Sequence, residues 1–194
     1  MVIAIITRLR RIVSRYLEIV AINLYKLGLT PNSITLLGLA ISVVGLIAAY
    51  LSNIVAVLLI FLISSLMDVL DGALARVSSR VTRLGSILDS FSDKVEEGIF
   101  FYSILILGAP ITLVLLSLIV SYLISYLRAL GENNGVRLEG IGILERGERL
   151  ILIAIAIVGL WLGNSALVHI ALIALIILGC VTIMQRLFHI YKNV

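Results

Sequence analysis

The chain has 194 residues, of which 61% are hydrophobic and only 13% are charged, and its mean hydropathy is +1.21. A soluble domain is about 45–50% apolar and about a quarter charged. One soluble core of this size cannot bury so many apolar residues. The composition therefore excludes a soluble enzyme, a disordered tail and a disulfide-rich secreted module, and it predicts an all-α integral membrane protein.

Six apolar segments approach the roughly 20 residues that a membrane-spanning helix needs. In chain order they are Ser33–Leu51, Ile54–Met67, Thr82–Leu107, Ile111–Leu127, Leu150–Leu162 and Ser165–Leu187. Turn-forming residues separate alternate pairs, at Ser52-Asn53, residues 107–110 and Gly163-Asn164. The pattern predicts six transmembrane helices in a single membrane domain over residues 1–194, with the bundle over residues 31–190.

The basic residues predict the orientation of this bundle. They lie before the first span, between spans two and three, between spans four and five, and at the end of the chain, except Lys94 inside span three. The positive-inside rule then places both termini in the cytoplasm. The segment 1–30 is predicted to form a basic amphipathic helix on the inner leaflet, on the basis of Arg8, Arg11 and Arg15 at helical spacing. The alternative is a plain topology signal.

Four acidic residues lie in or at the edge of these apolar spans, where a carboxylate is costly. Asp68 and Asp71 are three positions apart, and Asp89 and Asp93 are four apart, so each pair shares one helix face. If spans two and three form a hairpin that turns near Arg80, Asp71 and Asp89 lie at similar depth, roughly 13 Å from the turn. The four carboxylates are therefore expected to converge.

Convergent carboxylates cannot all ionise unless something neutralises them. All-oxygen ligands favour Mg²⁺, Mn²⁺ or Ca²⁺ rather than zinc. Four carboxylates would balance two divalent ions, and two such ions form a clamp for displacement at phosphorus. The alternative is a structural network of these acids with Arg76, Arg80 and Arg83.

Together these residues read Asp68-x2-Asp71-Gly72-x2-Ala75-Arg76-x8-Gly85-x3-Asp89-x3-Asp93. This pattern closely resembles the signature of the CDP-alcohol phosphotransferase family, and the six-span layout is similar too. The resemblance implies transfer of a phosphatidyl-type group from a CDP-linked donor to an alcohol, with release of CMP. It also implies a cytoplasm-facing active site in the cell membrane and a homodimer.

The resemblance assigns a role to each signature residue. Asp68, Asp71, Asp89 and Asp93 would bind two Mg²⁺ or Mn²⁺ ions, and Asp93 would also be the general base. The nucleotide would be bordered by Gly72, Ala75, Arg76 and Gly85. The stretch Thr30-Pro31-Asn32-x2-Thr35 resembles the family's entry to the first span, so that Asn32 and Thr35 would face the nucleotide as well.

The loop between spans four and five indicates the acceptor. It carries four arginines and four glutamates, and arginine binds phosphate by bidentate hydrogen bonds. The arginines favour a phosphorylated acceptor, unless they only anchor the topology and pair with the local glutamates. The candidate phosphate ligands are Arg128, Arg137, Arg146 and Arg149. The run from Gly142 to Leu150 resembles family members that use inositol phosphate.

The sequence therefore predicts an enzyme that makes a lipid-linked inositol phosphate from a CDP-lipid and inositol 1-phosphate in the bilayer, with no nucleic-acid partner. Two alternatives lie within the family: a phosphatidylglycerophosphate synthase, and an enzyme that uses CDP-inositol to make a soluble inositol phosphodiester. An alternative of another class is a divalent-cation transporter that uses the acids as an ion site.

Overall fold

Every regular element that the computed structural model describes, in residues 17–78 and 82–193, is an α-helix. The first helix, α1, covers residues 17–26 of this part of the chain. Six longer helices follow: α2 (Pro31–Tyr50), α3 (Ile54–Ser78), α4 (Arg83–Ile106), α5 (Ile111–Asn133), α6 (Arg146–Trp161) and α7 (Ser165–Asn193). The predicted all-α class is confirmed over these residues.

The helices begin and end where the polar residues of the sequence allow it. Thr30 caps α2 by accepting a hydrogen bond from the Ser33 amide at 3.2 Å, and Pro31 occupies the first helical position, where no amide proton is needed. Asn53 caps α3 through the Ala56 amide, and Asn164 caps α7 through the Leu167 amide, both at 3.1 Å. Two of the predicted uncharged breaks, at Ser52-Asn53 and Gly163-Asn164, are therefore turns with capping residues, whereas Pro110 precedes α5 without a side-chain cap.

Among residues 17–78 and 82–193, four helices are long and apolar enough to cross a membrane: α2, α3, α5 and α7. The other two predicted spans fall short for different reasons. In α4, Asp89, Asp93, Lys94 and two glutamates interrupt the apolar sequence. In α6, the 16 residues extend only about 24 Å, which is less than the hydrocarbon core of a bilayer. The six-span topology thus stays a prediction. The apolar helices α2, α3, α5 and α7 indicate a membrane protein.

The described chain divides into two compact units. Unit 1 lies within Met1–Val44 and Leu62–Glu96, and unit 2 comprises Gly45–Phe61 and Glu97–Val194. The expectation of one domain over the whole chain remains a prediction. Most of the segment 1–30 that was predicted to be amphipathic, including Arg8, Arg11 and Arg15, lies outside the described residues, as does Arg80.

Unit 1 has a small apolar core where α1 packs against α2 and α3. Ala21 of α1 is fully buried, and it lies in one cluster with Ile34 of α2 and with Leu70 and Leu74 of α3. These contacts hold the polar ends of α2 and α3 in place. Those ends carry the residues that were predicted to bind the nucleotide and the metal.

Unit 2 has a larger core, in which α7 packs against both α5 and α6. The Phe61 and Phe100 rings meet edge to face, with centroids 4.8 Å apart. At Gly179, α7 approaches α5 so closely that an added Cβ would overlap Cγ1 of Val120. This glycine permits the contact between the two helices.

We therefore expect Gly179→Ala to destabilise the protein by about 1–3 kcal/mol, the usual cost of overpacking a core. Gly147→Ala in α6 is the control, because nothing lies within 4 Å of the added Cβ there. Removing a helical glycine should stabilise by roughly 0.5–1 kcal/mol. The measurement is thermal unfolding in detergent micelles, and equal shifts in both variants would contradict the packing argument.

Candidate active site

A cavity in unit 1 collects many of the predicted site residues. It encloses about 190 Å³, the liquid volume of roughly six water molecules, so it suits part of a headgroup rather than a whole lipid. We call it the acidic cavity. Its lining residues are Pro31, Asn32, Thr35, Asp71, Gly72, Ala75, Thr82, Gly85, Ser86 and Asp89. Seven of these were predicted to bind the nucleotide or the metal.

Asp71 is a buried carboxylate of the acidic cavity. It is only 4% exposed, and Thr35 of α2 donates its hydroxyl to Asp71 Oδ2 at 2.5 Å. The Thr35 Oγ1 atom also lies 3.1 Å from the carbonyl oxygen of Pro31. Thr35 therefore fixes the position of a predicted metal ligand, a role that the sequence analysis did not give it.

The other three aspartates have different surroundings. Asp89 lines the acidic cavity, whereas Asp68 and Asp93 do not, although the Oδ1 atom of each is buried. Asp68 and Asp89 are near enough to Asp71 for the negative charges to repel one another. Carboxylates in such surroundings stay apart unless a cation draws them together. Within residues 17–78 and 82–193, no three acidic, histidine or cysteine side chains form a complete ligand set.

These acids nevertheless suit a divalent ion, both in their donor atoms and in their position around one cavity. All the donors are oxygens, which Mg²⁺ and Mn²⁺ prefer, and at least two of the carboxylates face the same cavity. The lining also includes small residues where a ligand must approach closely. A Cβ on Gly85 would lie 2.9 Å from Thr82 Oγ1 and 3.0 Å from Asn32 Oδ1. Because Gly85 has no side chain, the space beside these two polar atoms stays open.

Two polar side chains, Arg76 and Thr82, lie beside the glycines of the acidic cavity. Arg76 is exposed, and its Nη1 atom lies 3.6 Å from the Cβ position of Gly72, so that its side chain folds back over the predicted nucleotide site. Thr82, which the sequence analysis missed, accepts a hydrogen bond from the Gly85 amide at 3.0 Å and caps α4. A threonine three residues before a helical position is a common N-cap signal, and it could have identified Thr82.

The four predicted acceptor arginines lie in unit 2, and they differ in burial and in their partners. Arg128 is exposed and pairs with Glu132 at 2.8 Å, Arg137 is exposed, and Arg146 is half-buried. Arg149 is only 3% exposed, and its Nε atom donates to Glu97 Oε1 at 2.8 Å. The local pairing expected as the alternative therefore exists at Arg128, whereas Arg149 is paired outside the loop.

The glutamates at the start of α6 stabilise the backbone. Glu145 accepts from the Gly140 amide at 2.9 Å, and the Glu145 amide donates to Glu148 Oε2 at 2.9 Å in a capping box. Two of the four loop glutamates thus hold the shape of the loop. The alternative, in which the loop arginines pair with the local glutamates, therefore describes only part of the geometry.

A fifth arginine, Arg186 of α7, was missed by the sequence analysis. It is 3% exposed, and it donates to the carbonyl oxygens of Ile141 and Ile124 at 2.9 and 2.5 Å. Arg128 and Arg149 lie close enough to Arg186 for the positive charges to repel one another. We call these three residues the arginine cluster. These positive charges come from three helices, and Glu97, Glu132 and Glu145 lie beside them.

A family model described as CDP-alcohol phosphatidyltransferase matches residues 28–185. The chain belongs to this family. It is 34% identical to the archaetidylinositol phosphate synthase of Pyrococcus horikoshii over 97% of each chain, and 34% identical to that of Aeropyrum pernix over 91% of each. Membership makes the chain a transferase and sets aside the cation-transporter alternative.

Solved structures of another family member have the same fold. The phosphatidylinositol phosphate synthase of Mycobacterium tuberculosis with CDP-DAG bound is 29% identical, with a TM-score of 0.79 over 91% of this chain and 94% of that one. The complex of that enzyme with manganese and citrate matches with a TM-score of 0.77 at 28% identity, over 90% of this chain and 88% of that one. The predicted family is confirmed, while the roles of individual residues stay predictions.

The hydrogen bond from Thr35 to Asp71 can be tested by its effect on the stability of this CDP-alcohol phosphatidyltransferase. Thr35→Val keeps the shape of the side chain and removes the hydroxyl, so the buried carboxylate loses its donor. We expect a loss of about 1–3 kcal/mol in the free energy of unfolding. Thr35→Ser keeps the hydroxyl and is the control. Thermal unfolding of the two variants decides, and an equal loss in both would show that the hydrogen bond is not what stabilises Asp71.

Proposed function

We propose that this protein transfers a phosphatidyl-type group from a CDP-linked lipid to inositol 1-phosphate and releases CMP. The observation that supports it most strongly is the acidic cavity, which brings seven of the predicted ligand residues to one place in a chain of this family. The names of the relatives supply the substrates. Two are archaetidylinositol phosphate synthases, and a third, from Mycobacterium tuberculosis, was solved with CDP-DAG bound.

The four aspartates of the signature would hold divalent ions. We propose two ions, Mg²⁺ or Mn²⁺, with Asp68, Asp71 and Asp89 holding one, and Asp93 completing the second with its neighbours. The ions would neutralise the diphosphate and the charge that develops on the departing CMP oxygen. The manganese complex of the Mycobacterium tuberculosis enzyme supports this assignment. Thr35 would keep Asp71 oriented, since it donates to Oδ2 of that carboxylate.

The remaining residues of the acidic cavity would position the nucleotide. Gly72, Ala75 and Gly85 leave space for the diphosphate and the cytidine, and Asn32 offers an amide beside them. Arg76 would pair with a phosphate oxygen, because its guanidinium is exposed above Gly72.

Asp93 would act as the general base. It would accept the proton of the acceptor hydroxyl as that oxygen attacks the lipid-linked phosphorus. The new bond joins the acceptor oxygen to phosphorus, and the bond from phosphorus to the CMP oxygen breaks. Asp93 lies one helical turn after Asp89, so both carboxylates project from one face of α4.

The arginine cluster would bind the phosphate of the acceptor, together with Arg137 and Arg146. Arginine suits this role, because its planar fork matches phosphate oxygens and its charge persists at every physiological pH. Glycerol 3-phosphate carries the same group and is the second candidate acceptor. The relatives' names favour inositol phosphate.

We propose six spans, with α4 and α6 crossing the cell membrane inside the bundle, both termini in the cytoplasm and the active site on that side. The segment 1–30 would lie along the inner leaflet, and the protein would form a homodimer, as the family resemblance implies. The charges of α4 would then face protein or the substrate cavity, which is where a bilayer tolerates them.

The proposal predicts CMP release by the purified protein with Mg²⁺, CDP-diacylglycerol or its archaeal ether analogue, and inositol 1-phosphate. Glycerol 3-phosphate, serine and free inositol are offered in parallel. Turnover with inositol 1-phosphate alone is expected. Turnover only with an unphosphorylated alcohol would keep the family reaction and reject the acceptor. No turnover with any of them would direct the test to CDP-inositol as donor.

In the same assay, Asp93→Asn should lower kcat by about 10²–10⁴-fold, the usual contribution of a general base. Binding of the CDP-lipid should change much less, because Asp93 does not line the acidic cavity. Ser90→Ala is the control, since Ser90 is an exposed residue of the same helix. Near-normal turnover of Asp93→Asn would reject the assigned role.

A further inference from the structure

Glu97 is a buried acid of unit 2 that the proposed chemistry does not use. Its side chain is 3% exposed, and its Oε1 atom accepts from Arg149 Nε at 2.8 Å. Ser121 of α5 donates its hydroxyl to the same oxygen. An ion pair so far from water persists only with good geometry, because the desolvation of both ions opposes it. The hydroxyl of Ser121 adds to that geometry.

Arg149 is held by a second contact as well. Its Nη2 atom lies 3.4 Å from the hydroxyl oxygen of Ser125, one turn after Ser121 on α5. The Nε and Nη2 atoms form one edge of the planar guanidinium. Glu97 and Ser125 both engage that edge, so α4 and α5 together fix the plane of the group and the direction in which its other edge points.

Two roles for Glu97 are consistent with its place beside the arginine cluster. It could neutralise charge, since Arg149 and Arg186 repel each other. It could instead fix the orientation of Arg149. The two roles predict opposite results when the charge of Glu97 is removed: a neutraliser would leave a stronger attraction for phosphate, and a positioning residue would leave a weaker one.

We propose that Glu97 is a positioning residue for the phosphorylated acceptor and that it acts through Arg149. Neutralisation would need only a nearby negative charge. The observed arrangement has two donors on one carboxylate oxygen and two partners on one guanidinium edge, which determines orientation as well as charge. The inference rests on the proposed function, because it needs an acceptor that carries phosphate.

The test is a steady-state analysis of Glu97→Gln in the full-length protein, with CDP-diacylglycerol and inositol 1-phosphate as substrates. Glutamine keeps the size of the side chain but offers only a neutral amide oxygen, so the charge-assisted hydrogen bond that orients Arg149 becomes weaker. We expect KM for inositol 1-phosphate to rise about tenfold, and KM for the CDP-lipid to change by less than about twofold. Glu97→Asp keeps the charge but withdraws it by one methylene, and it should raise the acceptor KM by a smaller factor.

The matched control is Glu132→Gln. Glu132 pairs with Arg128 through the same atoms at the same 2.8 Å, but its side chain is 49% exposed. Exposed pairs contribute little, so the acceptor KM should stay within about twofold of the wild type. Thermal unfolding of each variant is measured beside the kinetics. If Glu97→Gln does not fold, Glu97→Asp and Ser121→Ala decide, and both should raise the acceptor KM selectively.

Three results would overturn the inference, two of them from the kinetics of Glu97→Gln. A lower acceptor KM in Glu97→Gln would show that Glu97 only neutralises charge. Equal increases in both KM values would show that it only supports the fold. Turnover of the wild type with glycerol 3-phosphate alone would reject the proposed acceptor, and the same variants would then be measured with that substrate. Turnover only with unphosphorylated alcohols would overturn both the acceptor and the role of Glu97.

Discussion

The cost of placing a carboxylate on an apolar helix determines the polar contacts of this protein. A carboxylate among apolar residues needs donors or an opposite charge nearby. In unit 1, Asp71 is held by Thr35 and Glu96 by Ser64, the latter at 2.6 Å. In unit 2, Glu97 is held by Arg149 and Ser121. Thr35 of α2, Ser64 of α3 and Ser121 of α5 are therefore donors to acids of neighbouring helices. The acids in turn limit which residues can occupy those positions.

The same helices must also approach closely enough for such short side chains to reach one another. At Gly38, an added Cβ would lie 3.2 Å from Glu96 Oε1 and 3.7 Å from Asp68 Oδ1, so the missing side chain keeps space beside two carboxylates. A cation or its water could use that space, whereas a methyl group would exclude it. Glycines on apolar helices thus serve two ends here: they let backbones pack, and they leave polar atoms accessible to a ligand.

Much of the fold and of the acidic cavity could be predicted, because the information is local. The spacing of Asp68, Asp71, Asp89 and Asp93 determines which acids share a helix face, and apolar length identified most of the helices.

The helix ends were less predictable. The fourth span was expected to extend to about Leu127, yet α5 continues to Asn133, because backbone hydrogen bonds do not stop where the apolar sequence does. The ion pair of Glu97 with Arg149 and the contacts of Arg186 join residues 45 to 62 positions apart. No local pattern encodes such pairs, since they depend on how the helices pack.

Arg128 and Arg149 show why the sequence alone could not indicate which of the predicted acceptor arginines is best placed to bind phosphate. Both are arginines of one polar segment, and each donates Nε to a glutamate oxygen at 2.8 Å. They differ in burial: side-chain exposure is 47% at Arg128 and 3% at Arg149. Water screens the exposed pair, and its partners can rearrange at little cost. The buried pair is not screened, and removing one partner leaves a charge in an apolar environment. A buried arginine of fixed orientation is a preorganised site for an anion, whereas an exposed one adds mainly long-range attraction. Selectivity for a phosphorylated acceptor should therefore depend on the buried Arg149 rather than on the exposed Arg128.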